Sequence, residues 1–316
     1  MIRFFIGLAP ALARVLPICF LLVPCTGMAG DLKVSLSPGY TTGDYGSSTR
    51  TETYEMPLRL RYQEGPYKFS VRIPYLAVTG PQTAVPNLGV VGSPDNGTRQ
   101  GSSVVSSGSG GPGPSGNSGP GSSGSGSSGS GSSSSGTGSS GIATSANSRS
   151  TVQGLGDLGL AASARVLGGQ PGDWFKLELA AGTKLPTGDK QRGLGSGQVG
   201  LSASMLGTID FTPDLSLEMT VGRFFRTRHS NDLQLEDYFY STTSLSYDIN
   251  AKLTVGVSVD VQQRAVTDGT MVVEAGVFVE YEILPGTYIG ANVFRGFTPD
   301  SSAFGAGVLV SHKFSM

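Results

Sequence analysis

The chain has 316 residues, with 22 Lys or Arg against 23 Asp or Glu, so its formal net charge is −1. This balance provides no basic field that would favour nucleic acid as a partner. Both cysteines, Cys19 and Cys25, precede position 30. The sequence after that position therefore excludes a disulfide, a thiolate metal site and a cysteine nucleophile, and we expect no metal and no cofactor.

Residues 1–29 have the composition of a secretory signal peptide. Arg3 and Arg14 are their only charged residues, the apolar run VLPICFLLVP follows, and Gly27 and Ala29 suit a cleavage site before position 30. The apolar run is shorter than the about 20 residues that a spanning helix needs, which disfavours the alternative of a membrane anchor. We therefore predict that the chain is exported.

Beyond the signal, apolar and polar residues alternate. In YEMPLRLRY (54–62) the apolar residues fall on one face, and Glu55, Arg59 and Arg61 fall on the other. The next run, YKFSVRIPYLA, repeats the pattern. A period of two is the period of a β-strand, so this part of the chain is predicted to form half-buried strands.

A Ser/Gly-rich segment interrupts the alternation. Positions 101–140 contain 14 Gly and 19 Ser, and no charged residue occurs between Arg99 and Arg149. Such a composition cannot bury enough apolar surface to offset the entropy of ordering. We predict a disordered, low-complexity insert over 79–154. A pore plug, a surface brush and a tolerated loop expansion are its alternative roles.

The alternation resumes after the insert and continues to the C-terminus, in runs such as FKLELAAGTKL and KLTVGVSVDVQ. No window beyond the signal has a convincing helical stripe. The complete pattern predicts twelve strands, near 31–40, 50–62, 67–78, 155–167, 174–187, 198–210, 215–226, 235–249, 252–263, 271–283, 287–296 and 303–316.

The connections alternate in length. Every second one is a tight turn, such as QEGP, FTPD, NA or LPG, whereas most of the others are longer. Short periplasmic turns and longer outside loops are typical of a transmembrane β-barrel. A soluble barrel or sandwich would have the same period of two, but the predicted export, the even number of strands and the alternating C-terminal run FGAGVLVSHKFSM favour the membrane version. We predict an all-β, antiparallel outer-membrane barrel over 30–316.

The stretch GTKLPTGDKQRGLGSGQVG (182–200) invites a test as a nucleotide-binding loop. Leu194 and Gly195 stand where a P-loop needs Lys followed by Ser or Thr, and a dinucleotide loop would need a helix after it. Strands are predicted on both sides instead. The stretch is therefore interpreted as the connection of a hairpin that turns outside the membrane, in which the glycines serve backbone geometry.

Three motifs resemble those of a known family. GLGD (154–157), KLPTGD (184–189) and GLGSG (193–197) are similar to segments of the outer-membrane transporter family of the meta-pathway of phenol degradation. The resemblance covers about 152–316 and implies an outer-membrane β-barrel that transports small molecules. Lys184 and Asp189 are its candidate mouth contacts. The motif residues singled out are Asp157, Lys184, Pro186, Gly188, Asp189, Gly193, Gly195 and Gly197.

The polar face of the strands supplies the candidate pore lining. If the apolar face meets lipid, charged residues of both signs point into the lumen, where they could select small solutes. The alternative is that these charges pair across the lumen and plug a narrow barrel. The candidates are Arg59, Arg61, Arg72, Lys176, Glu178, Lys184, Glu218, Asp260, Glu274 and Glu280, with Glu55, Lys68 and Arg165 on the same face.

The expected function is that of an outer-membrane channel or uptake protein for small solutes, with aromatic and other hydrophobic molecules as candidates. Its expected partners are outer-membrane lipid and the barrel-assembly machinery. A closed barrel that displays the Ser/Gly insert is the alternative. A lipid hydrolase built on His229 with Ser230 or Ser241 and Asp232 is disfavoured, because no nucleophile motif accompanies the histidine. The second histidine, His312, is predicted to face lipid.

Overall fold

A computed structural model describes residues 30–45, 50–80, 150–170, 172–226, 237–263 and 270–315. The predicted signal peptide and most of the predicted insert lie outside the described residues. The described strands are β1 (Asp31–Leu36), β2 (Gly39–Gly43), β3 (Thr51–Glu64), β4 (Tyr67–Gly80), β5 (Ser150–Leu155), β6 (Leu158–Leu167), β7 (Phe175–Leu185), β8 (Gly200–Asp210), β9 (Leu215–Arg226), β10 (Tyr238–Asn250), β11 (Leu253–Gln262), β12 (Val272–Leu284), β13 (Thr287–Gly296) and β14 (Phe304–Ser315).

These segments form one closed antiparallel sheet. Apart from β1 with β2 and β5 with β6, each strand pairs with its neighbours in sequence, and β14 closes the ring by pairing with both β1 and β2. Because β1 with β2, and β5 with β6, each make up one interrupted strand, the barrel has twelve strands, as the alternation predicts. The described part of the chain contains no helix with the length and hydropathy needed to span a bilayer.

The two interruptions lie beside prolines of the neighbouring strands. Pro57 accepts a bond from Ser37 N at 3.2 Å, and Pro74 accepts one from Gly156 N at 2.9 Å. Because a proline has no N–H, the pairs Ser37–Pro57 and Gly156–Pro74 each have one hydrogen bond instead of the usual two. The strand opposite each proline is interrupted at this point, between β1 and β2 and between β5 and β6.

The distribution of burial is inverted relative to a soluble barrel. Lys68 and Glu178 are each 2% exposed, whereas their chain neighbours Phe69 and Leu179 are 53% and 44% exposed. The polar set therefore faces the interior and the apolar set faces outward around the barrel. This orientation suits a wall that is surrounded by lipid, and it excludes the soluble alternative.

The two ends of the barrel have different connections. The connections 65–66, 168–174, 211–214, 251–252 and 285–286 meet at one end, together with the start of β1 and the end of β14. We call this the short-turn end, and the opposite one the long-loop end. By the usual topology of outer-membrane barrels, the short-turn end faces the periplasm.

Several predicted boundaries need correction. Strand structure enters the predicted insert of 79–154 at both margins, because β4 continues to Gly80 and β5 begins at Ser150. Similarly, β7 ends at Leu185 and β8 begins only at Gly200, so the connection between them is longer than predicted. Pairing with the neighbouring strands, which local alternation does not report, decides these ends.

Candidate channel lumen

The predicted pore-lining residues all lie at inward-facing positions of their strands. Arg59 and Arg61 share the inner face of β3 with the buried Glu55, and Arg72 lies on β4 at the same parity as Lys68. Lys176, Glu178 and Lys184 alternate along β7, Glu218 lies on β9, Asp260 on β11, and Glu274 and Glu280 on β12.

Charge on the inner face is partly segregated by sign. Five basic residues lie on the adjacent strands β1, β3 and β4, which we call the basic wall: Lys33, Arg59, Arg61, Lys68 and Arg72. Four acidic residues lie on β9, β11 and β12, which we call the acidic wall: Glu218, Asp260, Glu274 and Glu280. In the closed ring these two groups of strands lie on roughly opposite sides of the lumen.

Carboxylates near the basic wall are held in ion pairs. Lys68 Nζ lies 2.5 Å from Glu178 Oε2, and Ser163 Oγ donates to the other oxygen of Glu178 at 2.5 Å. Arg72 forms an ion pair with Glu55. Such pairs fix long side chains against the wall instead of leaving them extended across the lumen.

The acidic wall is stabilised by neutral donors. Thr242 Oγ1 donates to Asp260 Oδ1 at 2.6 Å, and the backbone N of Ser302 donates to Glu274 Oε1 at 2.8 Å. Asp260 and Glu274 stand directly opposite each other in the ladder between β11 and β12. Two carboxylates at such positions repel each other, and hydrogen bonds from neutral groups offset part of that repulsion.

A cavity of about 480 Å³ occupies the interior towards the short-turn end, and we call it the vestibule. Charged side chains from both termini of the barrel and from the middle of its strands line this space. They are Asp31, Lys33, Arg61, Lys68, Arg165, Lys176, Glu178, Asp210, Glu218 and Lys313. Four of the predicted pore-lining residues, Arg61, Lys176, Glu178 and Glu218, therefore line a common space.

The long-loop end is filled by side chains. Phe224 and Tyr238 are fully buried, and their rings stack with centroids 5.3 Å apart. The guanidinium of Arg226 lies over both rings, at 5.4 Å and 5.5 Å from their centroids. Gly200 provides the space for the Phe224 ring, because a Cβ at that position would overlap the ring.

The connection 186–199 folds into this end of the barrel. Leu194 and Ser196 are each 2% exposed. Leu194 packs on the inner side of β5, where a Cβ on Gly154 would lie 2.9 Å from Leu194 Cδ1. The segment therefore covers the lumen, which contradicts our prediction that it turns outside the membrane.

Asp157 anchors this infolded loop. Its carboxylate accepts hydrogen bonds from Gly188 N at 3.0 Å, from Ser196 N at 2.9 Å and from Ser196 Oγ at 3.0 Å. It also forms an ion pair with Lys184, whose Nζ lies 2.9 Å away and donates to Ser196 Oγ at 2.7 Å. All four groups belong to the three family motifs, which thus assemble into one structural unit.

A second tie joins the loop to the interrupted strand. Thr187 Oγ1 donates to Gly156 O at 3.1 Å and accepts from Leu158 N at 2.9 Å. In a regular ladder, Gly156 O would accept a hydrogen bond from the N–H of residue 74, but Pro74 has no N–H. The Thr187 hydroxyl therefore takes over the missing ladder bond and fixes the start of the loop against the wall.

The motif glycines are required by close contacts and by backbone conformation. A Cβ on Gly188 would lie 2.5 Å from Leu194 O, and a Cβ on Gly195 would lie 2.8 Å from Gly188 Cα. Gly193 and Gly197 have φ values of 71° and 65°, in the left-handed region. Pro186, which follows the last residue of β7, is exposed.

The two candidate mouth contacts have different surroundings. Lys184 is 5% exposed and is covered by the loop, so it is not an open mouth contact. Asp189 is exposed and accepts from Gln191 N at 3.0 Å and from Arg192 N at 3.1 Å, which stabilises the turn. Thr187 and Ser196 were not among the predicted site residues, although they lie inside the motifs KLPTGD and GLGSG.

Of the two histidines, His312 is the one within the described residues. His312 lies on the outward face of β14. The centroids of its ring and of the Phe314 ring are 4.3 Å apart, and its Nδ1 is hydrogen-bonded to Thr287 Oγ1 at 2.7 Å. His229, Ser230 and Asp232 lie outside the described residues. Within the described ranges, no group of three or more His, Cys, Asp or Glu side chains could hold a metal ion.

The arrangement of GLGD, KLPTGD and GLGSG agrees with a comparison of the sequence with known families. Residues 122–314 match the family described as the MetA-pathway of phenol degradation. The chain belongs to this family. The match extends over more than half of the sequence and includes all three motifs. No curated protein matches the chain by sequence.

Solved structures with a similar fold are outer-membrane proteins. An outer-membrane channel from Pseudomonas putida F1 has a TM-score of 0.57 and 12% identity, and the alignment covers 93% of this chain and 100% of that chain. The NanC porin has a TM-score of 0.48 and 9% identity, with coverages of 90% and 100%. The CymD monoaromatic hydrocarbon channel has a TM-score of 0.40 and 8% identity, with coverages of 91% and 88%. At 12% identity, the similarity to the Pseudomonas putida F1 channel supports the fold alone.

Proposed function

We propose that this protein is a passive outer-membrane channel for small solutes. The supporting observation is the charged inner face, with basic and acidic walls on opposite sides of a lumen that widens into the vestibule. A barrel whose only role is structural would gain little from this arrangement, because burying charge costs free energy unless each group is paired or hydrated.

An aqueous path explains the buried polar atoms better than a dry core does. Among the described residues, Gln262 Nε2, Asn292 Oδ1 and Ser311 Oγ are buried and have no hydrogen-bond partner in the protein. Buried polar groups in native proteins are almost always paired, with water where protein partners are absent. We infer that water occupies the inner face and that solutes pass through it.

The walls also define the solute class. Opposite charges across a narrow lumen create a transverse field that orients dipolar or charged solutes. The vestibule, at about 480 Å³, accommodates a molecule the size of a single substituted aromatic ring. The family description, which concerns phenol degradation, supports aromatic compounds as candidates.

The proposal includes the cellular setting. The chain would be exported by residues 1–29, inserted by the barrel-assembly machinery, and surrounded by outer-membrane lipid along its outward apolar face. Detection of the mature protein in purified outer membranes, together with N-terminal sequencing that begins at Gly30, tests this part. Recovery from the soluble periplasmic fraction contradicts it.

The channel itself is tested by planar-bilayer recordings of the refolded mature protein. We expect discrete conductance steps, and a change in cation-to-anion selectivity towards anions for Glu280→Gln, because this carboxylate belongs to the acidic wall. Arg295→Gln is a suitable control, since Arg295 is exposed on the outward face of β13. Complete absence of conductance in the wild type and in variants that release the infolded loop would contradict the proposal.

A closed barrel that displays the insert is the second candidate, and the filled long-loop end favours it. Under this alternative, neither the wild type nor a variant lacking the Asp157 carboxylate conducts. A cysteine introduced at Ser125, outside the described residues, would nevertheless be labelled on intact cells by an impermeant reagent. Labelling together with conductance agrees with the channel and makes display a secondary property.

A further inference from the structure

Three cations stand side by side on neighbouring strands at the short-turn end. Lys33 on β1 is directly opposite Lys313 on β14 and directly opposite Arg61 on β3. All three side chains line the vestibule. We call Lys313, Lys33 and Arg61 the cation row.

The members of the cation row carry like charges on adjacent strands. Side chains directly opposite each other in an antiparallel ladder have Cβ atoms about 5 Å apart, and like charges at that spacing repel. Lys313 forms an ion pair with Asp31, whose Oδ2 lies 2.7 Å from Lys313 Nζ. A row of cations that faces a cavity attracts ligands of opposite charge into that cavity.

The charge of the vestibule is unequal. Its lining contains six basic side chains and four acidic ones. The basic ones are Lys33, Arg61, Lys68, Arg165, Lys176 and Lys313, and the acidic ones are Asp31, Glu178, Asp210 and Glu218. Three of these carboxylates, Asp31, Glu178 and Asp210, are held in ion pairs with basic residues of the same lining. The space therefore has a net positive lining, although the acidic wall lies across the lumen.

The rest of the vestibule offers neutral hydrogen-bonding groups. Ser216 and Ser246 have their Oγ atoms 2.8 Å apart, and both belong to the lining together with Thr208 and Ser244. Tyr288 completes the wall beside the cation row, with its ring centroid 5.6 Å from Lys33 Nζ. A small molecule in this space would meet cations on one side and hydroxyl groups on the other.

We propose that the vestibule is a binding site for small organic carboxylate anions at the periplasmic end of the channel. This inference deepens the proposed function and rests on it. A carboxylate would accept charge-assisted hydrogen bonds from Lys33 and Arg61, while the hydroxyl groups of β8, β9 and β10 bind the remainder of the molecule. The site lies towards the short-turn end, so anions reach it from that side.

The test is equilibrium binding of succinate to the folded full-length mature barrel in detergent at low ionic strength. Succinamide, which has the same shape without charge, is the matched ligand. Lys33→Gln and Arg61→Gln are the test variants. Lys252→Gln is the matched control, because Lys252 is exposed in the turn 251–252 at the same end and does not line the vestibule.

We expect the wild type to bind succinate and each test variant to bind about tenfold more weakly, which corresponds to the loss of one charge-assisted hydrogen bond. Lys252→Gln should bind as the wild type does, and succinamide should not compete. Succinate should also raise the urea midpoint of the wild type but not that of Lys33→Gln, since a ligand that binds only the folded barrel stabilises it. Electrophoretic mobility without heating verifies that each variant forms a closed barrel.

Equal binding of succinate and succinamide, or unchanged succinate binding in both test variants, would overturn the carboxylate site. A weakening in Lys252→Gln as large as in Lys33→Gln would also overturn it, because the attraction would then belong to the whole end of the barrel. Bilayer conductance separates this outcome from failure of the channel. A conducting barrel without succinate binding retains the proposed function, and a binding barrel without conductance rejects that function alone.

Discussion

At the short-turn end the wall surrounds a vestibule of about 480 Å³, whereas at the long-loop end the same wall is filled by buried aromatic rings and an infolded loop. Both ends are built from strands with the same alternation, and both contain a buried ion pair. Lys68 with Glu178 lines the vestibule, and Lys184 with Asp157 lies under the loop. The two ion pairs differ in the groups that they fix. Lys68 with Glu178 fixes side chains against the wall, and Lys184 with Asp157 fixes a connection across the lumen.

This contrast assigns a physical role to the family motifs. GLGD, KLPTGD and GLGSG contribute the anchor, the tie and the glycines that bring the loop 186–199 inside, and all of them act at the long-loop end. The resistance to solute passage should therefore lie at that end. The vestibule should govern which solutes bind and how strongly.

Loss of the Asp157 carboxylate should have the largest effect. Asp157→Ala leaves Lys184 buried without its carboxylate and removes three further hydrogen bonds, so we expect a loss of about 3–5 kcal/mol in the free energy of unfolding. The released loop should raise single-channel conductance. Urea titration in detergent and bilayer recordings measure the two quantities.

Glu178→Gln is the matched change at the other end. It breaks the Lys68 pair and should also destabilise the barrel, but it leaves the loop in place, so conductance should not rise. If Glu178→Gln opens the barrel as far as Asp157→Ala does, the two ends are not functionally distinct.

Removal of a ring from the long-loop end should have the next largest effect. Phe224 is fully buried against Tyr238, and Phe224→Ala should cost about 3 kcal/mol and widen the path. Phe225→Ala provides the comparison, because the Phe225 side chain is 38% exposed on the outward face. Conductance should increase only for the inward residue, and an equal increase for both would argue against a constriction at Phe224.

A methyl group in the loop should have an intermediate effect. Gly195→Ala introduces a Cβ that would lie 2.8 Å from Gly188 Cα and overlap the Asp157 carboxylate, so the loop must shift. We expect a loss of about 1–3 kcal/mol, measured by urea titration, and a moderate rise in conductance. Gly207→Ala should be tolerated, because its nearest contact would be 3.7 Å, at Phe175 Cε2. Equal losses in the two variants would show that glycine content alone matters.

The smallest effect is expected at Thr187. Thr187→Val keeps the shape of the side chain but removes the hydroxyl that bonds Gly156 O and Leu158 N. The expected loss is about 1–2 kcal/mol in urea titration, since the hydroxyl substitutes for one ladder bond. Thr187→Ser should retain most of the stability. Failure of serine to do so would mean that the methyl group, and not the hydrogen bond, ties the loop to the wall.

The strand pattern was predictable because barrel strands obey a local rule. Alternation with a period of two identified all twelve strands, and the parity of Arg59, Glu178 and Glu280 followed from it. The interruptions were not predicted. They depend on Pro57 and Pro74 facing the neighbouring strands β1/β2 and β5/β6, which is a property of pairing across the sheet. The inward path of the loop 186–199 was likewise missed, since glycine and polar residues are equally typical of an external turn.

The sequence by itself determined the closed all-β barrel, the polar lumen and the apolar outer face, because each strand must present its two faces to water and to lipid in alternation. Only the tertiary structure decided which charges meet. Lys184 meets Asp157 across 27 positions of sequence, and Lys33 stands between Arg61 and Lys313, which comes from the other end of the chain. Closure of the ring and the register of its strands bring these groups together, and local alternation contains no information about register.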